Sequence, residues 1–128
     1  MGYFNDLAER IDYEAQRFDE LSPRVLTMSP FANGAHDVDP NIKQMTFTFD
    51  RPLDPKGRYS FKAIRGSDHY PIEKVLGFDE TGGTFTIQLN LKPDWDYEFV
   101  VTGLGFRTRD GYPLKLYAVR FKTKKLGM

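Results

Sequence analysis

Two hydrophobic periods run along the chain, and they divide at Pro23. Ahead of it, Phe4, Leu7, Ala8, Ile11, Ala15, Phe18 and Leu21 recur every three or four residues, the spacing of one helix face. An amphipathic helix is therefore predicted over residues 3–21. Ser22-Pro23 ends it, because a proline drives the preceding residue out of the α region. A single helix of this length is marginal in water, so its apolar stripe requires a surface to rest on. Two surfaces are open to it: the rest of this chain, or an upstream domain of which residues 1–22 would be the tail.

Beyond Pro23 the period falls to two, and turn residues arrive every eight to twelve positions, the pattern of an all-β sandwich. Val25–Ser29 reads as a first strand. Residues 42–50 follow, with Met45, Phe47 and Phe49 alternating with Gln44, Thr46 and Thr48. Residues 59–65 and Ile72–Phe78 read as weaker strands around a Gly66-Ser-Asp68 turn. Phe85, Ile87, Leu89 and Leu91 give the clearest alternation. Tyr97, Phe99 and Val101 come next, and Tyr117, Val119, Phe121 and Thr123 close the series. This makes about seven strands, the count of an Ig-like antiparallel sandwich. The organisation expected is thus a helix or tail in residues 1–22 and one Ig-like β-sandwich in residues 23–125.

Composition narrows the chemistry. A chain of 128 residues can bury enough surface to hold a core without a disulfide or a structural metal, and it contains no cysteine, which removes thiol nucleophiles and thiolate metal sites. Only His36 and His69 are available for imidazole chemistry. Ser60 and Ser67 lie outside any Gly-x-Ser-x-Gly context. With no nucleophile, base or ligand cluster to point to, neither enzyme activity nor a cofactor is expected. Asp37, Asp39 and Asn41, or Asp94 with Asp96, lack the glutamate and glycine spacing of a calcium loop. They read instead as caps of backbone amides.

The eighteen basic and eighteen acidic residues balance, which argues against binding nucleic acid by phosphate neutralisation. No apolar run reaches the roughly 18 residues of a membrane span, and the first 25 residues lack the basic-then-apolar order of a signal peptide. The balance conceals an asymmetry. Residues 1–21 hold two arginines against six carboxylates, a net −4, which leaves +4 for the remainder. Arg107 and Arg109 add to a basic side suited to receive the acidic helix, whereas residues 122–125 read as a solvated basic tail.

Local motifs each have a backbone reason. Asn33-Gly34 supplies a tight turn with positive φ. Asp110-Gly111 reads as a hairpin turn between Phe106 and Leu114. In Leu91-Lys-Pro93-Asp-Trp95-Asp-Tyr97, Tyr97 opens the penultimate strand. Such a tyrosine in an Ig-like sandwich turns its hydroxyl back to the preceding corner, the tyrosine corner.

Taken in order, Pro23-Arg-Val-Leu-Thr-Met-Ser-Pro30, Asn33-Gly-Ala-His-Asp-Val-Asp-Pro40, Thr48-Phe-Asp-Arg-Pro52, Leu91-x-Pro93-x-x-x-Tyr97, Asp110-Gly-Tyr-Pro-Leu114 and Arg120-Phe-Lys-Thr123 resemble bacterial Ig-like domains of the SbsA type. The resemblance covers residues 23–124. It implies a non-catalytic accessory or interaction module of a larger extracytoplasmic bacterial protein, secreted, periplasmic or at the cell surface, positioned against a neighbouring domain such as a peptidase or other hydrolase. The alternative is a small carbohydrate-binding module. Trp95, Tyr112 and Tyr117 are aromatics of the kind that stack on sugars or anchor interfaces.

Overall fold

The computed structural model describes residues 17–126. The predicted helix over residues 3–21 falls largely outside them, but residues 17–21 are helical. Seven strands follow: β1 Val25–Ser29, β2 Gln44–Phe49, β3 Phe61–Ala63, β4 Ile72–Phe78, β5 Thr84–Leu89, β6 Asp96–Val101 and β7 Tyr117–Lys122. One sheet has the order β1-β2-β5-β4 and the other β3-β6-β7, with every pairing between strands antiparallel. Four strands against three, in this order, is the arrangement of an Ig-like constant-type sandwich.

The period of two explains the core. In β2 Met45, Phe47 and Phe49 are buried, and the register with β5 places Met45 opposite Ile87 and Phe47 opposite Phe85. The alternate residues Thr46, Thr48, Thr84 and Thr86 share the outer face, where the Thr46 and Thr86 hydroxyls lie 2.9 Å apart in a hydrogen bond. From the second sheet, Phe99, Val101, Val119 and Phe121 point inward. Phe106, outside any strand yet fully buried, closes the core at one end, with its ring 4.9 Å from Phe85 and 5.4 Å from Phe61. Burying rings of this size is the main favourable contribution to folding.

Two predicted strands are shorter than their pattern. Residues 59–65 pair only over Phe61–Ala63, because Gly66 takes a positive φ of 82° and turns the chain away. Residues 42–50 pair over Gln44–Phe49.

The sheet edges are irregular. The β1 register shifts between Val25 and Thr27, and β4 shifts twice, between Ile72 and Lys74 and between Val75 and Gly77. The free edge of β7 is covered by residues 33–38. The Gly34 amide donates to the Arg120 carbonyl (2.7 Å), Lys122 to Ala35 (2.9 Å), Val38 to Lys122 (3.1 Å) and Lys124 to Val38 (2.9 Å). The Val38–Thr123 bridge runs parallel. Gly34 has the expected positive φ, 90°, and Asn33 does more than turn the chain. Its amide group donates to the Ala118 carbonyl at 2.7 Å and accepts the Arg120 N–H at 2.9 Å, standing in for one more peptide unit of the ladder.

Strand direction fixes the two ends. β1 starts beside Phe49 and β7 starts beside Val101, so the chain enters and β7 begins at the same pole. β7 ends beside Asp96, at the opposite pole, where the chain leaves.

Candidate functional site

At the entry pole the last helical turn is fixed to the sandwich by three contacts. The Phe18 ring rests on Tyr112 at 5.5 Å, Asp19 pairs with Lys115 at 3.0 Å, and the Arg51 guanidinium donates to the Leu21 carbonyl at 3.0 Å. The last of these places a cation at the helix C-terminus, where the helix dipole favours it. The Ser22 amide and hydroxyl both donate to the Phe18 carbonyl, and the Lys115 amide donates to Pro23. A cavity of about 420 Å³ lies alongside, walled by Leu21, Arg51, Leu53, Thr81, Arg109 and Tyr112 among others.

The expected meeting of the acidic helix with Arg107 and Arg109 lies largely outside the described residues, which hold only its last turn, residues 17–21. Arg109 lines the cavity, but Arg107 turns back to the Gly111 carbonyl at 3.0 Å and holds its own turn. Lys115 and Arg51 contact residues 17–21. The Asp110-Gly111 turn forms as read, with Gly111 at φ 94° and Leu114 donating to Phe106 at 2.9 Å.

Trp95 sits at the exit pole. Its indole stacks on His69 with the ring centres 5.0 Å apart and 8° between planes, its N–H donates to the Asp68 carbonyl at 2.8 Å, and the Lys92 ammonium lies 4.1 Å from the ring centre. His69 Nδ1 lies 2.8 Å from the Asp96 carbonyl, and Arg65 pairs with the Asp96 carboxylate. That guanidinium holds Asp96 below the ordinary carboxylate range. At the β4–β5 turn, partial desolvation pushes Asp79 up, but the Thr84 amide, the Thr81 hydroxyl and the Gly83 and Gly82 amides outweigh it and leave Asp79 low as well. Because both carboxylates are depressed, what they contribute to stability is present above the ordinary carboxylate range and is lost as pH falls through the depressed values.

The three aromatics read as candidate contacts are not gathered at one end. Trp95 is at the exit pole and Tyr112 at the entry pole, while Tyr117 packs on Phe47 at the rim of the core with ring centres 6.5 Å apart. Loops distant in sequence fold to opposite poles, and no spacing rule separates them in advance. His69, one of the two histidines, is the group stacked on Trp95. Replacing His69 with alanine is expected to raise Trp95 fluorescence and its quenching by iodide, since the indole loses its stacked neighbour. Unchanged quenching would mean that the stack is absent in solution.

Tyr97 is buried, and its hydroxyl accepts the Lys92 amide at 2.7 Å. Burial pushes its phenol pKa up, against the smaller opposing effect of the Lys92 amide. Burial likewise raises Tyr70. Pro93 lies exposed within the same corner. Thr123, 1% exposed, ties this corner to the chain end: its hydroxyl donates to the Lys92 carbonyl at 2.6 Å and accepts the Trp95 amide at 2.9 Å. Tyr97→Phe leaves the Lys92 N–H without this partner and is expected to cost about 1–3 kcal/mol, read as a lower denaturant midpoint with an unchanged slope.

Asp39 accepts the Asn41 amide at 2.8 Å, and Asp94 faces Lys122 at 3.6 Å. Among the described residues no three His, Asp or Glu side chains gather as a metal site, and no helix there is long and apolar enough to cross a membrane.

The fold and both poles define a β-sandwich module of the Ig-like class. No family model and no curated protein matches the chain. Among solved structures it is similar to "Structure of surface layer protein SbsC, domains 1-6", with 23% identity, a TM-score of 0.51 and coverage of 91% of this chain and 16% of that one. It is also similar to the S-layer protein rSbsC(31-844), with 22% identity, a TM-score of 0.48 and coverage of 91% and 16%. A third is the N-terminal part of the bacterial S-layer protein SbsC, with 22% identity, a TM-score of 0.47 and coverage of 88% and 26%. At these identities the likeness to domains 1-6 supports the fold. The chain spans between 16% and 26% of the length of those proteins.

Proposed function

We propose that this chain is a non-catalytic Ig-like accessory module of the SbsA type, set in series within a larger extracytoplasmic bacterial protein and separating the domains on either side of it. The observation that carries this reading is that β1 begins and β7 ends at opposite poles of the sandwich. The polypeptide enters at one pole and leaves at the other, and the entering helical turn is held by Tyr112, Lys115 and Arg51. A module built this way carries the orientation of an upstream neighbour through its last helical turn. Tyr97 and the Lys92 amide serve as its tyrosine corner. The engaged indole of Trp95 favours a structural role there over a sugar platform.

The test is small-angle scattering of the parent polypeptide with and without residues 23–125. Excision is expected to shorten the longest dimension by at least the length of one six-residue strand, roughly 20 Å. An unchanged dimension would show that the module lies beside its neighbours and does not separate them, and the reading would fall.

A further inference from the structure

We propose that Asn33-Gly34 is a chemical modification site held closed by β7, and that its deamidation turns a transient lifting of the cover over that strand into a permanent one. Of the four asparagines only Asn33 is followed by glycine, the residue whose nitrogen has no Cβ beside it to hinder attack on the preceding side chain. The reaction is intramolecular and needs only hydroxide and water. Hydroxide takes the Gly34 amide proton, and the nitrogen bonds to the carbonyl carbon of the Asn33 side chain. The bond from that carbon to the side-chain nitrogen breaks, and the nitrogen takes a proton back from water and leaves as ammonia. Water then opens the resulting succinimide at either carbonyl, leaving aspartate or isoaspartate at position 33. Nothing is oxidised or reduced: an amide and a water become a carboxylic acid and ammonia.

In the sandwich each reacting group is engaged. The Gly34 N–H donates to the Arg120 carbonyl at 2.7 Å, the Asn33 side-chain oxygen accepts the Arg120 N–H at 2.9 Å, and the nitrogen that must leave donates to the Ala118 carbonyl at 2.7 Å. The nucleophile must therefore give up a hydrogen-bonded proton, and the side chain must swing off two backbone groups of β7, before the new bond can form. Asn33 and Gly34 are both exposed, so hydroxide reaches them and the hydrogen bonds, not burial, hold the reaction back. Further along the cover, Val38 is 2% exposed and bonds Lys122 and Lys124 through its own N–H and carbonyl. It ties the segment down, so Asn33 is freed when residues 33–38 come away, a local opening that costs less than unfolding the sandwich.

Either product prevents reseating. Aspartate has no N–H to offer the Ala118 carbonyl and brings a negative charge to face it, and isoaspartate lengthens the backbone and carries the Gly34 amide away from Arg120. The edge of β7, Tyr117–Lys122, is then left without its cover, and an uncovered edge is a template for another strand.

Residue-resolved mass spectrometry of the full chain, incubated at mildly alkaline pH either native or unfolded in urea, tests this through the conversion of Asn33 with time. Conversion is expected to be slower in the native chain by about tenfold or more, because it proceeds only from the opened state. Val38→Ala loosens the cover and is expected to speed native conversion several-fold. Val25→Ala, at a similarly buried position in β1, should leave it near the original rate. In Asn33→Asp, the straight-chain product, the Gly34, Val38 and Lys122 amides are expected to exchange with solvent about tenfold faster than in the original chain, with the Ile87 and Leu89 amides of β5 unchanged. Equal conversion in the native and unfolded chains, or equal acceleration by Val38→Ala and Val25→Ala, would overturn the gating by β7. Unchanged exchange in Asn33→Asp would overturn the permanent opening. All of these readouts lie within this chain, so they are independent of the scattering test and of the in-series placement.

Discussion

Phe85→Ala is expected to lower stability by about 3–5 kcal/mol, the usual cost of emptying a buried aromatic site. The ring is fully buried and has Tyr59, Phe61, Phe78 and Phe106 around it, with ring centres 4.7–5.9 Å away. These neighbours come from both sheets and from the loop that carries Phe106, so local repacking cannot fill the space without moving several elements. Small domains have only about 5–15 kcal/mol of net stability. The variant should therefore show a large loss in denaturant midpoint and partial unfolding near body temperature. A loss below roughly 1 kcal/mol would mean that the core is not packed around this ring.

Gly82→Ala is expected to be almost as damaging, although it adds one methyl group. Gly82 has φ +79° and is buried in the β4–β5 turn, and a Cβ placed there would fall 1.9 Å from the Leu53 carbonyl oxygen. The left-handed conformation alone costs a side-chain-bearing residue about 1–2 kcal/mol. Relieving the clash must also move Leu53, itself 1% exposed, and disturb the bond from the Leu53 amide to the Gly82 carbonyl at 2.9 Å. The sum is expected to reach about 3–4 kcal/mol. Gly34→Ala is the control, because Gly34 has a similar φ of +90° but open space around its Cβ direction. It should show the conformational cost alone. Equal losses at the two positions, measured by thermal or denaturant unfolding, would rule out the close approach of Gly82 to Leu53.

Much of this architecture is written locally. The alternation of Phe85, Ile87 and Leu89 with threonines and Gln88 specifies β5 and its buried face, and the matching run in β2 specifies its neighbour. Tyr97 is legible because its partner, Lys92, is five residues away. The parts that escaped are those in which the partner is remote. Asn33 announces a turn, yet its side chain serves Ala118 and Arg120, 85 and 87 residues further on. His69 and Trp95 meet only because β6 passes the 67–69 turn. Arg107 reads as a cation suited to an acidic helix, and nothing in the sequence shows that its guanidinium also holds the Gly111 carbonyl four residues away. Lys115, which does reach the helix, has no sequence feature that sets it apart from the other lysines.

The register shifts in β1 and β4 and the cover over β7 bear on how such modules behave when crowded. A straight, unpaired strand edge invites a strand from another molecule, and bends, bulges and covering segments deny it a template. Here the two edge strands of the larger sheet are bulged, one edge of the smaller sheet is occupied by residues 33–38, and the other is the three-residue β3. Copies held side by side therefore have no long regular edge through which to polymerise.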